Sequence, residues 1–333
     1  MGFMNCCSTR VLFITFFLVC AIEAQSQTKV FNVIDYGAAA NGQSDNSGAF
    51  FQAWKEACRW KGNTRVYIPA GTYFLRPVTF IGPCYGFMEF MIIGILKAPS
   101  DSAAIFTDKW INFQYVSNLT VAGGGVLDGQ GAAAWQQSQC NKKTDCQTFP
   151  ISLRFDFVTD SRVQSIQSIN SKKNHIMLYG CERMNLTDIT ILAPGDSPNT
   201  DGIKIGKSQH IRITNATIST GDDCVAIISG SKDVYISNVF CGPGHGISVG
   251  SLGKYRDEDD VLGINVKNCI FNGTTNGLRL KTWASPYATK ASDFTFQDII
   301  MNNVENPIII DQNYCPHPPC TLQVFLPSPP FIF

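Results

Sequence analysis

At 333 residues the chain is long enough to bury a sizeable core, as one large solenoid or as two ordinary domains. Its 26 basic and 26 acidic side chains cancel, which excludes nucleic acid and anionic membrane surfaces as bulk electrostatic partners. Only 16% of residues are charged and glycine is plentiful, which suits frequent turns and strands buried on their inner face.

The first two dozen residues have the form of a secretory signal. Arg10 supplies the positive region, Val11 to Cys20 the apolar core, and Ala24 a small residue before Gln25. That run is too short to span a bilayer comfortably. The expected division is a signal over 1–24, one domain over 25–316 and a divergent tail over 317–333. Cys6, Cys7 and Cys20 leave with the signal, and the other ten of thirteen cysteines can pair in an oxidising compartment. Sequons open at Asn118, Asn185, Asn215 and Asn272, as expected for a glycoprotein on the secretory route.

Phe31 to Tyr36 reads as a first strand, followed by a turn at Asn41-Gly42. Asp45 or Asn46 can cap a helix from Ser47 to Trp60, with Phe50, Trp54, Ala57 and Cys58 on one face. Strands resume over Arg65 to Leu75, and turns follow at Gly123 to Gly125 and Asp128 to Gly131. Cys140 and Cys146 flank a polar loop that their own bridge could close. Leu186 to Ile191, Ile211 to Ile218, Val234 to Phe240 and Val261 to Phe271 are β-branched and partly alternating, the pattern of half-buried strands. They recur too closely for helical crossovers between parallel strands. The architecture that fits is an all-β parallel β-helix, in which residues one period apart stack about 4.8 Å apart.

Four polar clusters punctuate that repeat: Asn199-Thr200-Asp201, Gly221-Asp222-Asp223-Cys224, Gly244-His245-Gly246 and Arg279-Leu280-Lys281. Asp201, Asp222, His245 and Arg279 follow one another at roughly 21, 23 and 34 residues, so one coil carries an extra loop, for which Lys254 to Asp260 is the candidate. An Asp in such a cluster is by default a turn residue. Adjacent carboxylates, however, repel each other, which a plain turn has little reason to accept. In a regular strand Asp222 and Asp223 would diverge, and Gly221 offers a bend that brings both to one face. Stacked with Asp201 they give three carboxyl groups, enough to keep one as an acid and another as a base. His245, between glycines and in register with them, is placed to hydrogen-bond and tune the acid. Arg279 and Lys281 share a strand face and form either structural salt bridges or a cationic site for a substrate carboxylate. Cys224 and Cys241 lie one coil apart, within reach of a bridge. His175, His210 and His317 lack such company and read as structural or surface residues. No zinc-type ligand spacing occurs, so neither metal nor cofactor is expected.

These clusters, in this order and with Tyr314 in Asp311-Gln312-Asn313-Tyr314, resemble the plant polygalacturonases, pectin-degrading enzymes of glycoside hydrolase family 28. Leu280 departs from the family's Ile, and the pattern fits Phe31 to about Pro316. The resemblance implies a right-handed single-stranded parallel β-helix plugged at its N-terminal end by the helix. It implies a monomer acting on pectin (polygalacturonic acid) in the plant cell wall, with inversion at the anomeric carbon. Asp222 would be the general acid, Asp201 and Asp223 would hold and activate water, and Asn199, Arg279, Lys281 and Tyr314 would bind substrate. The Cys224 and Cys241 pair also matches one that the family bridges. Carboxylates one coil apart lean the other way, toward retention. Gly246 to Lys254 and Asn276 to Leu278 resemble the pollen exo-acting branch, and endo action stays open. The rival readings are a sister pectinase on substituted pectin and a catalytically impaired wall-binding β-helix. Relatives continue past the Tyr for several coils, whereas Thr321 to Phe333 is apolar and Pro-broken. The expectation is therefore a shortened end, a frayed last coil and a loosely held Tyr314.

Overall fold

The computed structural model describes residues 28–101, 107–137, 149–284, 287, 289–316 and 320. The signal, the Cys140 and Cys146 loop, His317 and the tail from 321 lie outside the described residues. The chain winds into a right-handed parallel β-helix. Its long strands pair in chain order, from Thr159–Ile169 and Glu182–Leu192 through Gln209–Ser219, Lys232–Cys241 and Val261–Asn272 to Ala291–Asn302. A second sheet stacks the short strands Ile176–Tyr179, Ile203–Gly206, Val225–Ile227, Ile247–Leu252, Asn276–Thr282 and Asn306–Asp311.

The partial alternation of the long strands has a structural cause. In Gln209–Ser219 the buried residues are Ile211, Ile213, Ala216 and Ile218, so the inward phase slips by one after Ile213. The slip falls at Asn215, whose φ is +55°. Ser165, Asp188, Asn238, Asn268 and Asp298 take the same left-handed conformation on the neighbouring coils. One such residue turns the strand around a corner of the coil, so that both halves face inward. Asn and Asp tolerate this region better than most residues, which explains their place there. Asn215 Nδ2 also donates to Asp188 Oδ1 one coil away.

The core is a set of columns. Ile203, Val225, Ile247 and Leu278 are register partners down the second sheet, each nearly or fully buried. Each buried aliphatic side chain stabilises the fold by roughly 1.5–3 kcal/mol. At the N-terminal end the core becomes aromatic: Phe80, Phe90 and Phe113 have ring centroids 5.0 to 5.2 Å apart. Helix Ser47–Arg59 covers this end with Phe50, Ala53, Trp54, Ala57 and Cys58, and Trp54 packs 5.2 Å from Phe80. A Cys58–Cys84 bridge fastens the helix.

Several local expectations are corrected. The first strand is Lys29–Asn32, and Val33–Tyr36 is a 3-10 turn, because the Asn32 side chain accepts from Ile34 N and Gly37 closes the turn at φ +90°. Asn41 and Gly42 belong to the strand Asn41–Asp45, which pairs with Thr72–Phe74. Asp45 Oδ1 takes the Ser47 N–H at 3.0 Å, while the Asn46 side chain turns inward to the Ala39 and Phe74 backbone. Arg65 to Leu75 splits into Thr64–Ile68 and Thr72–Phe74. Not every cysteine pairs. Cys181 and Cys269 are free and buried, and burial pushes the Cys181 thiol up to about 12, which leaves it inert. No described helix is long and apolar enough to cross a membrane.

Cys224 and Cys241 do form a bridge, with a Cα separation of 5.9 Å, and it ties the segment after Asp223 to the end of the next long strand. Cys224→Ser with Cys241→Ser is expected to lower stability by about 3 kcal/mol, the scale for a loop of that size. Guanidinium denaturation of the double variant measures this, and an unshifted midpoint would refute it.

Candidate active site

The outward faces of Ile203–Gly206, Val225–Ile227, Ile247–Leu252 and Asn276–Thr282 make the floor of a cleft of about 930 Å³. Asp201, Asp222 with Asp223, and His245 precede three successive floor strands, and backbone bonds lock them coil on coil. Gly202 N donates to Asp223 O at 2.9 Å, and His245 N donates to Asp222 O at 2.8 Å. Arg279 and Lys281 stand on the fourth strand. The bend that turns both adjacent acids into the cleft depends on Gly221, where a Cβ would sit 2.0 Å from Ser197 O. Spacing in the sequence has become one cluster.

Each carboxylate has its own cationic partner. Asp201 Oδ2 lies 3.0 Å from Lys204 Nζ. Asp222 Oδ1 lies 3.0 Å from His245 Nδ1. Asp223 accepts from Arg279 Nη2 at 2.9 Å, Lys281 Nζ at 3.1 Å and Ser248 Oγ at 2.7 Å. Asp201, Asp223 and Lys281 are buried, so removing one partner of such a pair would cost about 3–5 kcal/mol. Burial pushes the Asp201 carboxyl up to about 6; Lys204 pulls against this, and Asp222 and Asp223 add to it. Burial also acts to raise Asp222, but the hydrogen bond and charge of His245 outweigh it and hold Asp222 below its usual value. The same hydrogen bond raises His245 against the effect of its own burial.

A family model described as glycosyl hydrolases family 28 matches residues 58–325, which is most of the chain and reaches past Pro316. The chain belongs to glycosyl hydrolase family 28. Among its relatives is an exopolygalacturonase of Platanus acerifolia, 49% identical over 90% of this chain and 79% of that protein. A polygalacturonase of Gossypium barbadense is 44% identical over 88% of this chain and 72% of its own length. Among solved structures, the polygalacturonase from Erwinia carotovora ssp. carotovora superposes with a TM-score of 0.73 at 23% identity, covering 86% of this chain and 81% of that one.

In this family 28 chain Arg279 and Lys281 are not an open cationic pair. Both are engaged with Asp223, which precedes the floor strand two coils away. Tyr314 is not loosely held: its N–H donates to Thr282 O at 3.0 Å, its ring meets Trp283 edge-on, and Lys281 Nζ lies 5.4 Å from its centroid. A Cys315–Cys320 bridge follows directly. Asn199 lines the cleft. Lys204 and Ser248 are additions that the sequence reading missed. They share one outward row with Ala226 and Arg279, a row that appears once the coils are aligned residue by residue. His175 is fully buried against Ser168 Oγ, and burial lowers it to about 3. His210 pairs with Asp233 on the surface. Asn118, Asn185, Asn215 and Asn272 are all exposed. Ligand atoms of Asp222, Asp223 and His245 lie within 4.8 Å of one another. A divalent ion there would face Arg279 and Lys281 across Asp223, an environment that does not favour a second positive centre.

Gly221→Ala is expected to cost about 1–3 kcal/mol, since the Ser197 backbone must give way. Gly48→Ala, in the helix with open space around it, should be neutral or gain up to about 1 kcal/mol. Thermal unfolding of the two variants side by side reads the contrast, and equal midpoints would contradict the role given to Gly221.

Proposed function

We propose that this chain is a secreted, monomeric polygalacturonase that hydrolyses α-1,4-galacturonosyl linkages of homogalacturonan in the plant cell wall, with inversion and in exo mode. The observation that carries the reading is three carboxylates in one cleft, each on its own cation. The names of the relatives support the substrate class, and the Platanus acerifolia protein supports exo action. Bridges at Cys58–Cys84, Cys224–Cys241 and Cys315–Cys320 support an oxidising route. The hydrolase domain is taken as 25–316.

In the proposed reaction water attacks the anomeric carbon, the glycosidic C–O bond breaks, and the leaving oxygen takes a proton from Asp222. The proton that water loses goes to the Asp201 and Asp223 side. In the proposed resting state the proton shared by the Asp222–His245 pair is on His245, consistent with Asp222 being held low and His245 raised by their mutual hydrogen bond. A substrate carboxylate entering the cleft makes ionised Asp222 costlier, and the proton crosses the 3.0 Å hydrogen bond to it. Arg279 and Lys281 keep spare N–H groups while holding Asp223, so the same cations can also meet a substrate carboxylate.

Asp222→Asn should lower turnover on polygalacturonate roughly 10²–10⁴-fold with the fold retained. Near-normal reducing-sugar release by that variant rules out Asp222 as the acid. The base must be ionised, so activity should fall as pH drops through about 6, the value to which Asp201 is raised. Lys204 holds Asp201 down, so Lys204→Met should move this limb of the kcat/KM profile to higher pH. A limb that stays in place or moves down removes Asp201 from the base role.

A further inference from the structure

The charged run Lys254 to Asp260 is the extra loop between the third and fourth floor strands, and Tyr255, Arg256, Asp257 and Glu258 from it line the cleft. Its own acids pin it. Glu258 Oε2 accepts from Gly253 N at 2.9 Å, and Oε1 accepts from Lys254 N at 2.9 Å and Tyr255 N at 3.0 Å. One side chain therefore satisfies three consecutive amides. At the other end Asp259 O accepts from Gly230 N and Ser229 Oγ, Asp259 Oδ2 lies 3.5 Å from Lys207 Nζ, and Asp260 Oδ1 accepts from Lys290 N. Arg256 and Asp257 are the tip between these two anchors.

Lys204, Lys207, Arg256, Arg279 and Lys281 are the lysines and arginines lining the cleft among the described residues. Lys204 is held by Asp201, Lys207 by Asp259, and Arg279 and Lys281 by Asp223. Arg256 alone has no ion pair or hydrogen bond among the described residues. Its guanidinium presents a planar fork of five donors that matches a carboxylate in bidentate fashion. The loop tip that carries it is fixed, so less order has to be imposed when a ligand arrives. His245 precedes the strand Ile247–Leu252 and Arg256 follows it, so the free cation and the acid cluster lie toward opposite ends of that floor strand.

We propose that Arg256 is a specificity-determining residue that clamps a uronate carboxylate of the substrate at the loop wall, with Glu258 as its positioning residue. The proposal rests on the polygalacturonase reading above and adds a second point of carboxylate recognition, apart from Arg279 and Lys281. Asp257, beside Arg256 and without an ion pair among the described residues, opposes it electrostatically.

The test is steady-state kinetics of the full chain on polygalacturonate and on highly methyl-esterified pectin. Arg256→Gln should raise KM on polygalacturonate about tenfold, the scale of a charge-assisted hydrogen bond discounted for exposure, and change kcat less than about twofold. The rise should be several-fold smaller on the esterified pectin. Arg256→Lys should recover part of the loss, and Asp257→Asn should move KM downward. Glu258→Gln should raise KM as Arg256→Gln does, with little added effect in the double variant. An unchanged KM in Arg256→Gln, or equal rises on both substrates, overturns the assignment. A wild-type chain that releases no reducing sugar from polygalacturonate overturns the proposed function itself.

Discussion

The constraint from which everything else follows is the backbone ladder between successive coils. Once Ile203 pairs with Val225, and Val225 with Ile247, every side chain is committed to a column and a face. A shift of one residue would turn buried isoleucines outward. The apolar columns hold the register, and the register holds the acids. Stability is accumulated neighbour by neighbour, as in other solenoids, yet the charged cluster spans only four adjacent coils.

Within those coils the arrangement is one of opposed charges at short range. Three carboxylates on two successive turns would repel one another strongly in a site this buried. Lys204, His245, and Arg279 with Lys281 answer them one by one. The match is not uniform, and the difference is chemically useful. Asp201 has one lysine and deep burial, which leaves its carboxyl raised, whereas Asp222 has a titratable partner that can return a proton. In the proposed reaction, acid and base roles are thus separated by environment rather than by residue type.

Much of this was legible in the sequence because a repeat converts spacing into proximity. The cluster of Asp201, the Asp222-Asp223 pair and His245, the shared face of Arg279 and Lys281, and the helix from Ser47 follow from period or pattern, while the Cys224–Cys241 bridge and the capping role of the helix were implied by the family resemblance as well. The failures share a cause: they depend on register at the level of single residues. Ile211 to Ile218 showed imperfect alternation, but a slip at Asn215 is indistinguishable in a string from a weak strand. Lys204 and Ser248 look like ordinary outward residues until they stand beside Asp201 and Asp223. The face of Arg279 and Lys281 was readable, whereas their target was not, since a strand fixes a direction and Asp223 stands two coils away. Asn41-Gly42 carried turn chemistry, and pairing with Thr72–Phe74 overrode it.

The long step between Ile247 and Leu278 has a separate consequence. In a coil, only the paired segments are held to length; what lies between them is free to grow. Closing a loop twice as long costs only about 0.6 kcal/mol. The Lys254 to Asp260 wall can therefore be lengthened, shortened or recharged without moving a carboxylate on the floor. The charged floor and the loop wall are carried on different segments of the chain, so mutation can alter the wall while leaving the floor untouched.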